Sequence, residues 1–416
     1  MSVDLAEPAR VGDGEVARGG PVDVPRLSRD ERDRRWARVR ELMDRQGVDV
    51  IIGVPNTHMF DQFQASVRYL TSLGGNCASV GVVFPRDGEV MAIVSPDQSP
   101  DYLRALQDWV TDIRPIAPSW AYATPLLDRL RELGAGRGRI GVIGLQGNTR
   151  FWEGNVAHGV VVALQRELPG AKLVNATPIM EEVRFVKSEE ELACLERATL
   201  LAEGALEVLE REARPGVPER RVYARMLEYL VEQGSDLPTM ILWSAGWPQP
   251  SSNHYQPTGR PLQAGDVIHT ELEARWAGYV GQRTQPAFVG RAPAEYHMMF
   301  ALQQEALARC YDLLRPGATV GDLVRASAEV GQGEYACRIL LHGRGLGDDS
   351  PIAIYGARDQ RMSEWIIEEN STFMIKPMVM RGQRERYIYW GDTVVTTPSG
   401  ARRLGRQAPR IMEIGA

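Results

Sequence analysis

The sequence predicts a small N-terminal α/β domain followed by a larger α+β domain in which an α–α–β–β pattern occurs twice. Three observations carry this expectation. At 416 residues the chain is longer than one ordinary core accommodates. Its first part alternates short apolar runs with amphipathic stretches, as an α/β unit does. Its second part uses one turn twice, Arg214-Pro215-Gly216 and Arg315-Pro316-Gly317, each between two helical patterns and each followed by strand-rich sequence. A duplication of this kind implies a pseudo-twofold domain with its ligand cleft at the junction of the halves.

Residues 1–25 mix acids, Arg, Gly and Pro without an apolar stretch, and read as a disordered lead-in rather than a secretory signal. Ser28, with Glu31 three residues on, opens a helix through Trp36, Val39, Leu42 and Met43, and Val48–Ile52 follows as a buried strand. Strand patterns return at Ala78–Phe84, Glu89–Val94 and Arg139–Ile143, with a helix over Tyr122–Leu133, so the first domain spans 26–182. Ser188 with Glu191 is a capping box that opens a long helix, placing the second domain at 183–416. Within it, strands are expected over Val267–Phe288 and Thr372–Val395.

Composition excludes several classes. Apolar residues at 44% and charged residues at 25% are globular values. A net charge of −6 provides no basic footprint for nucleic acid, and no run of about 18 apolar residues exists to span a membrane. Cys77, Cys194, Cys310 and Cys337 lie far apart with no C-x-x-C pair, and read as reduced thiols of a cytoplasmic chain.

Five segments, in order, resemble one family. They are Val67-Arg68-Tyr69-Leu70-Thr71; Arg184 to Glu191; Asn253-His254-Tyr255-Gln256-Pro257 with Gly265-Asp266; Gly278-Tyr279 with Phe288-Val289-Gly290; and His342-Gly343-Arg344-Gly345-Leu346-Gly347 with Pro351. Together they are similar to the pita-bread hydrolases, the family of creatinase, aminopeptidase P and prolidase. The resemblance implies a creatinase-like N-terminal domain, a pita-bread catalytic domain and a homodimer in which Arg68 or its neighbours border the partner's cleft.

The peptidases of this family hold two metals through Asp, Asp, His, Glu and Glu. The resemblance sets Glu271, Gln282, His342, Lys376 and Gly391 at those positions. An amide, a glycine and an ammonium are poor replacements for carboxylates, so no metal and no other cofactor are expected. His254 falls where the family has a proton-shuttling histidine and is the expected acid/base; His342, Glu271 and Lys376 are expected beside it as catalytic groups. Gln282, Asp349 and Arg68 are expected to bind substrate, Asp349 because it is assigned to a histidine position of the peptidases. Glu273 shares a strand face with Glu271 but reads as a solvated strand residue. The expected activity is metal-independent hydrolysis of a C–N bond in a small amide or guanidine. The alternatives are a lyase, a catalytically inactive binding protein and, last, a metal-dependent Xaa-Pro peptidase.

Overall fold

The computed structural model describes residues 25–55, 64–75, 79–116, 121–147, 153–238, 240–250, 256–354 and 360–415. The expected lead-in, except Pro25, lies outside the described residues, as do Cys77 and His254.

The N-terminal domain is one six-stranded mixed sheet with helices on it. Helix α1 (Arg29–Gln46) starts where the Ser28 hydroxyl accepts the Glu31 amide and stops at Gly47, whose φ of 62° is left-handed. Strands β1 (Val50–Gly53), β2 (Val80–Pro85), β3 (Met91–Val94), β4 (Asp112–Pro115), β5 (Arg139–Val142) and β6 (Lys172–Asn175) lie in the order β4-β3-β2-β1-β5-β6. The β1, β2 and β3 runs are buried throughout, which is why they show no polar alternation in sequence. Helices α2 (Ala65–Thr71), α3 (Pro100–Leu106), α4 (Ala123–Glu132), α5 (His158–Glu167) and α6 (Thr177–Phe185) complete this domain.

The C-terminal domain repeats its elements. Helices α7 (Glu189–Glu212) and α8 (Glu219–Glu232) precede β7 (Ile241–Gly246), β8 (Val267–Trp276) and β9 (Tyr279–Val289). Helices α9 (Ala294–Leu313) and α10 (Val320–Ala328) precede β10 (Tyr335–Arg344), β11 (Asp348–Ile354), β12 (Thr372–Arg381), β13 (Arg386–Tyr389), β14 (Asp392–Thr397) and β15 (Gly400–Arg403). The short β16 (Met412–Ile414) returns to pair in parallel with β9. One sheet runs β16-β9-β8-β7 and the other β11-β10-β12-β14-β15, and they meet where Thr284 and Gly391 exchange backbone hydrogen bonds of 3.1 and 3.2 Å. The β8–β9 turn needs left-handed residues at both central positions, supplied by Ala277 (φ 52°) and Gly278 (φ 83°).

One carboxylate ties elements of both domains together. Glu191 closes the α7 capping box by accepting the Ser188 amide at 2.9 Å, and also accepts from Arg34 of α1 at 2.8 Å and from the Tyr279 hydroxyl of β9 at 2.7 Å. Tyr279 in turn accepts from Arg35 at 2.6 Å, and Arg35 is neutralised by Glu31 at 2.6 Å. None of the helices among the described residues is long and apolar enough to cross a membrane. Cys194, Cys310 and Cys337 are free thiols.

Candidate functional site

On β8 the period of two separates two chemistries. Ile268, Leu272 and Ala274 enter the core beneath α7 and α8, while His269, Glu271, Glu273 and Arg275 form a buried polar row on the other face. Glu273 is thus not the solvated residue expected: it is 1% exposed. Opposite it on β9 stands Gln282, with Thr284 opposite Glu271. Lys376 projects from β12, His342 and Arg344 come from β10, and Asp348 starts β11.

These side chains form a single network. The Lys376 ammonium donates to Glu271 Oε2, which also accepts from Gln282 Nε2 at 3.0 Å. The Gln282 carbonyl accepts from Arg344, whose guanidinium also pairs with Glu273 and, at 3.0 Å, with Asp348 Oδ1. Asp348 Oδ1 lies 2.7 Å from His342 Nδ1. The sequence reading thus names four members brought together here, Glu271, Gln282, His342 and Lys376. Arg344 and Asp348 are not singled out there, and Glu273 is set aside as solvated. The available signal was charge on alternate positions of strands that are otherwise apolar.

Burial sets the protonation states. It holds the His342 pKa down to about 4 against the opposing pull of Asp348, so the imidazole is neutral at pH 7. Nδ1 faces two acceptors, Asp348 and the Gly343 carbonyl at 3.2 Å, which assigns the proton to Nδ1 and leaves Nε2 with its lone pair. Burial also lowers the Lys376 pKa, opposed by Glu271. Arg344 is pushed the other way, because Glu273 and Asp348 outweigh the cost of burying it.

Helix α9 fixes the backbone around this network. Gln303 Nε2 donates to the Pro377 carbonyl at 3.0 Å and the Trp390 carbonyl at 2.6 Å, on either side of Lys376 and Gly391. Asp392 is clamped between Arg283 and Arg403, each at 2.6 Å.

Two expected substrate contacts lie elsewhere. Asp349 is on the opposite face of β11 from Asp348; it pairs with Arg184 and lies 3.7 Å from Lys187. In the β10–β11 ladder Asp348 pairs with Arg344, two residues from His342 and so on its face, while Asp349 pairs with Gly343. Arg68 sits at the domain junction, 3.6 Å from Asp236. His254 is outside the described residues.

Two linked sheets with a buried ionic cluster at their junction, together with a mixed-sheet N-terminal domain, define a two-domain protein of the pita-bread class. The chain belongs to metallopeptidase family M24: that family's model matches residues 193–398, and the creatinase/prolidase N-terminal domain matches residues 35–186. The Xaa-Pro dipeptidase of Pyrococcus furiosus is 24% identical over 62% of this chain and 74% of its own. The creatinase of a Bacillus species is 23% identical over 87% of this chain and 86% of its own. The solved Xaa-Pro dipeptidase from Bacillus anthracis has a TM-score of 0.72 at 18% identity, covering 92% of this chain and 99% of that one. These relatives are hydrolases that act on C–N bonds.

The relatives correct the functional expectation. Metal-independent attack on a small amide or guanidine is overturned by matches that are repeatedly dipeptidases, so the reading placed last, a metal-dependent Xaa-Pro peptidase, fits them best. The side chains in place do not fit the family's two-metal set. Among the described residues no group of three or more His, Cys, Asp or Glu is placed to hold a metal ion. Glu271 is already bound to an ammonium, and a Cβ at Gly391 would lie 2.6 Å from Lys376 Cβ.

Proposed function

We propose that this chain is a peptidase-family hydrolase that cleaves the C–N bond of a short peptide, with Xaa-Pro dipeptides as the first substrates to try. The dipeptidase names of its relatives support the substrate class. The single observation that carries the chemistry is the neutral His342 oriented by Asp348 next to two fixed cations. An imidazole with a free Nε2 lone pair takes a proton from attacking water, as a general base does. Arg344 and Lys376 put positive charge where a carbonyl oxygen turns anionic, in surroundings that screen it weakly. His254 joins them as a second proton carrier on the strength of the sequence resemblance, and the active species is a homodimer.

The test is hydrolysis of a panel of Xaa-Pro and control dipeptides by the purified chain, in metal-free buffer and with added Mn²⁺, Co²⁺ or Zn²⁺. Release of the free amino acids, read by mass spectrometry, is the expected result. No cleavage of any peptide under any of these conditions rejects the reading.

A further inference from the structure

A cavity of about 500 Å³ lies between the two domains, apart from the ionic cluster. Its walls come from both domains: the start of α1, the segment after α2, the first turns of α3, the β8–β9 turn and the β10–β11 connection. That volume lies in the range of small-molecule sites, roughly 300–1,000 Å³.

The lining is divided by chemistry. One part is aliphatic, with Leu73, Leu103, Leu106 and Leu346. The other carries Arg35, Arg68, Asp97 and Asp236. The charge of Arg35 is already taken up by Glu31 and Glu191. Arg68 is different. Its side chain is only 16% exposed, yet among the described residues its guanidinium makes no hydrogen bond and a single ion pair, with Asp236, long at 3.6 Å. A planar fork of donors held this way is suited to a carboxylate. Its position is fixed, too: a Cβ at Gly278 would fall 2.6 Å from Arg68 Nε, so the guanidinium lies against the backbone of the β8–β9 turn. Across the lining Asp97 is exposed, and its one recorded bond is from the Ser95 hydroxyl at 2.6 Å.

We infer that this cavity is a binding site for a free apolar α-amino acid, its carboxylate on Arg68, its ammonium on Asp97 and its side chain among the leucines. A simple anion would meet two carboxylates as well as the cation, and a simple hydrocarbon would leave Arg68 unmet; a zwitterion with an apolar side chain answers all three surfaces. Because both domains supply walls, the ligand bridges them.

Titration calorimetry of the full chain tests this with L-leucine, leucinamide, 4-methylpentanoate and inorganic phosphate as probes. Leucine binds, while leucinamide (no carboxylate) and 4-methylpentanoate (no ammonium) bind at least tenfold more weakly, and phosphate does not compete. Arg68→Gln and Asp97→Asn each weaken leucine at least tenfold, and Leu106→Trp, which fills the cavity, does the same. Asp97 and Leu106 lie outside the ionic cluster, so these two variants separate this site from product binding there. No leucine binding up to millimolar concentration, or leucine binding that Asp97→Asn and Leu106→Trp leave intact, overturns the inference. So does phosphate binding as well as leucine.

Discussion

Lys376 and Gly391 are sterically matched: a Cβ at residue 391 would lie 2.6 Å from Lys376 Cβ, 2.7 Å from Met374 Cε and 2.9 Å from the Ile375 carbonyl. The lysine occupies space that a side chain at 391 would need.

It follows that Gly391→Ala destabilises by about 1–3 kcal/mol through overpacking. Paired with Lys376→Gly, the same substitution costs less, because Lys376 Cβ, the nearest obstructing atom, is gone. Urea midpoints of the four proteins in the cycle give the coupling; additive changes would falsify the steric match.

Removing one charge of the Lys376–Glu271 pair costs more than removing both. Lys376→Met alone leaves a nearly buried carboxylate without its cation, a loss of about 3–5 kcal/mol. The double variant Lys376→Met with Glu271→Leu returns close to the parent in stability. Peptide hydrolysis stays at least about tenfold down in it, since removing a fixed charge near a developing oxyanion costs at least that much. A double variant as unstable as either single one, or one that is fully active, contradicts this account.

Stability falls between pH 6.5 and 4 because of His342. Its folded pKa of about 4 lies below the ordinary 6.5, so in that window the unfolded chain binds a proton that the folded chain refuses. The contribution is complete above pH 6.5 and is lost as pH drops through the folded value. The shift corresponds to about 3 kcal/mol. His269, held down to about 3 by burial, adds to the same slope. Unfolding midpoints of His342→Gln at pH 4.5, 5.5, 6.5 and 7.5 should show a shallower decline than the parent. Parallel curves would mean that His342 is not the titrating group.

Asp348 and Asp349 separate chemistry from architecture. Asp348→Asn removes the acceptor that orients His342, and lowers kcat by about 10²-fold or more. Asp349→Asn breaks the pair with Arg184 and lowers the melting point, while kcat/KM changes by less than about threefold, within ordinary context variation for a residue away from the chemistry. Interchanged outcomes would place the wrong aspartate in the site.

How much of this was legible beforehand differs from element to element. The Ser188–Glu191 capping box and the two Arg-Pro-Gly turns mark helix ends by local chemistry, so they could be read directly. Glu271 and Lys376 could be placed by resemblance, and they meet. Arg344 and Asp348 were not found and Glu273 was judged solvated, because each is ordinary in isolation and acquires meaning only when β8, β10 and β11 bring their faces together. The Asp348–Asp349 choice turned on strand parity in the β10–β11 ladder: Asp348 pairs with Arg344, two residues from His342, while Asp349 pairs with Gly343. Arg68 was expected at a partner's cleft; within its own chain it stands at a domain seam that only long-range packing creates.

Glu191 gives the molecule one further property. The residue that caps the first helix of the C-terminal domain is also the anion for Arg34 and Arg35 of the N-terminal one, and for the Tyr279 hydroxyl between them. Neither half closes its own boundary. Cutting the chain between them strands an arginine pair on one fragment and an overcharged helix start on the other, each newly facing water. The segment around residue 191 therefore behaves as a keystone rather than a linker, and a single cooperative melting transition for the whole chain is its calorimetric signature.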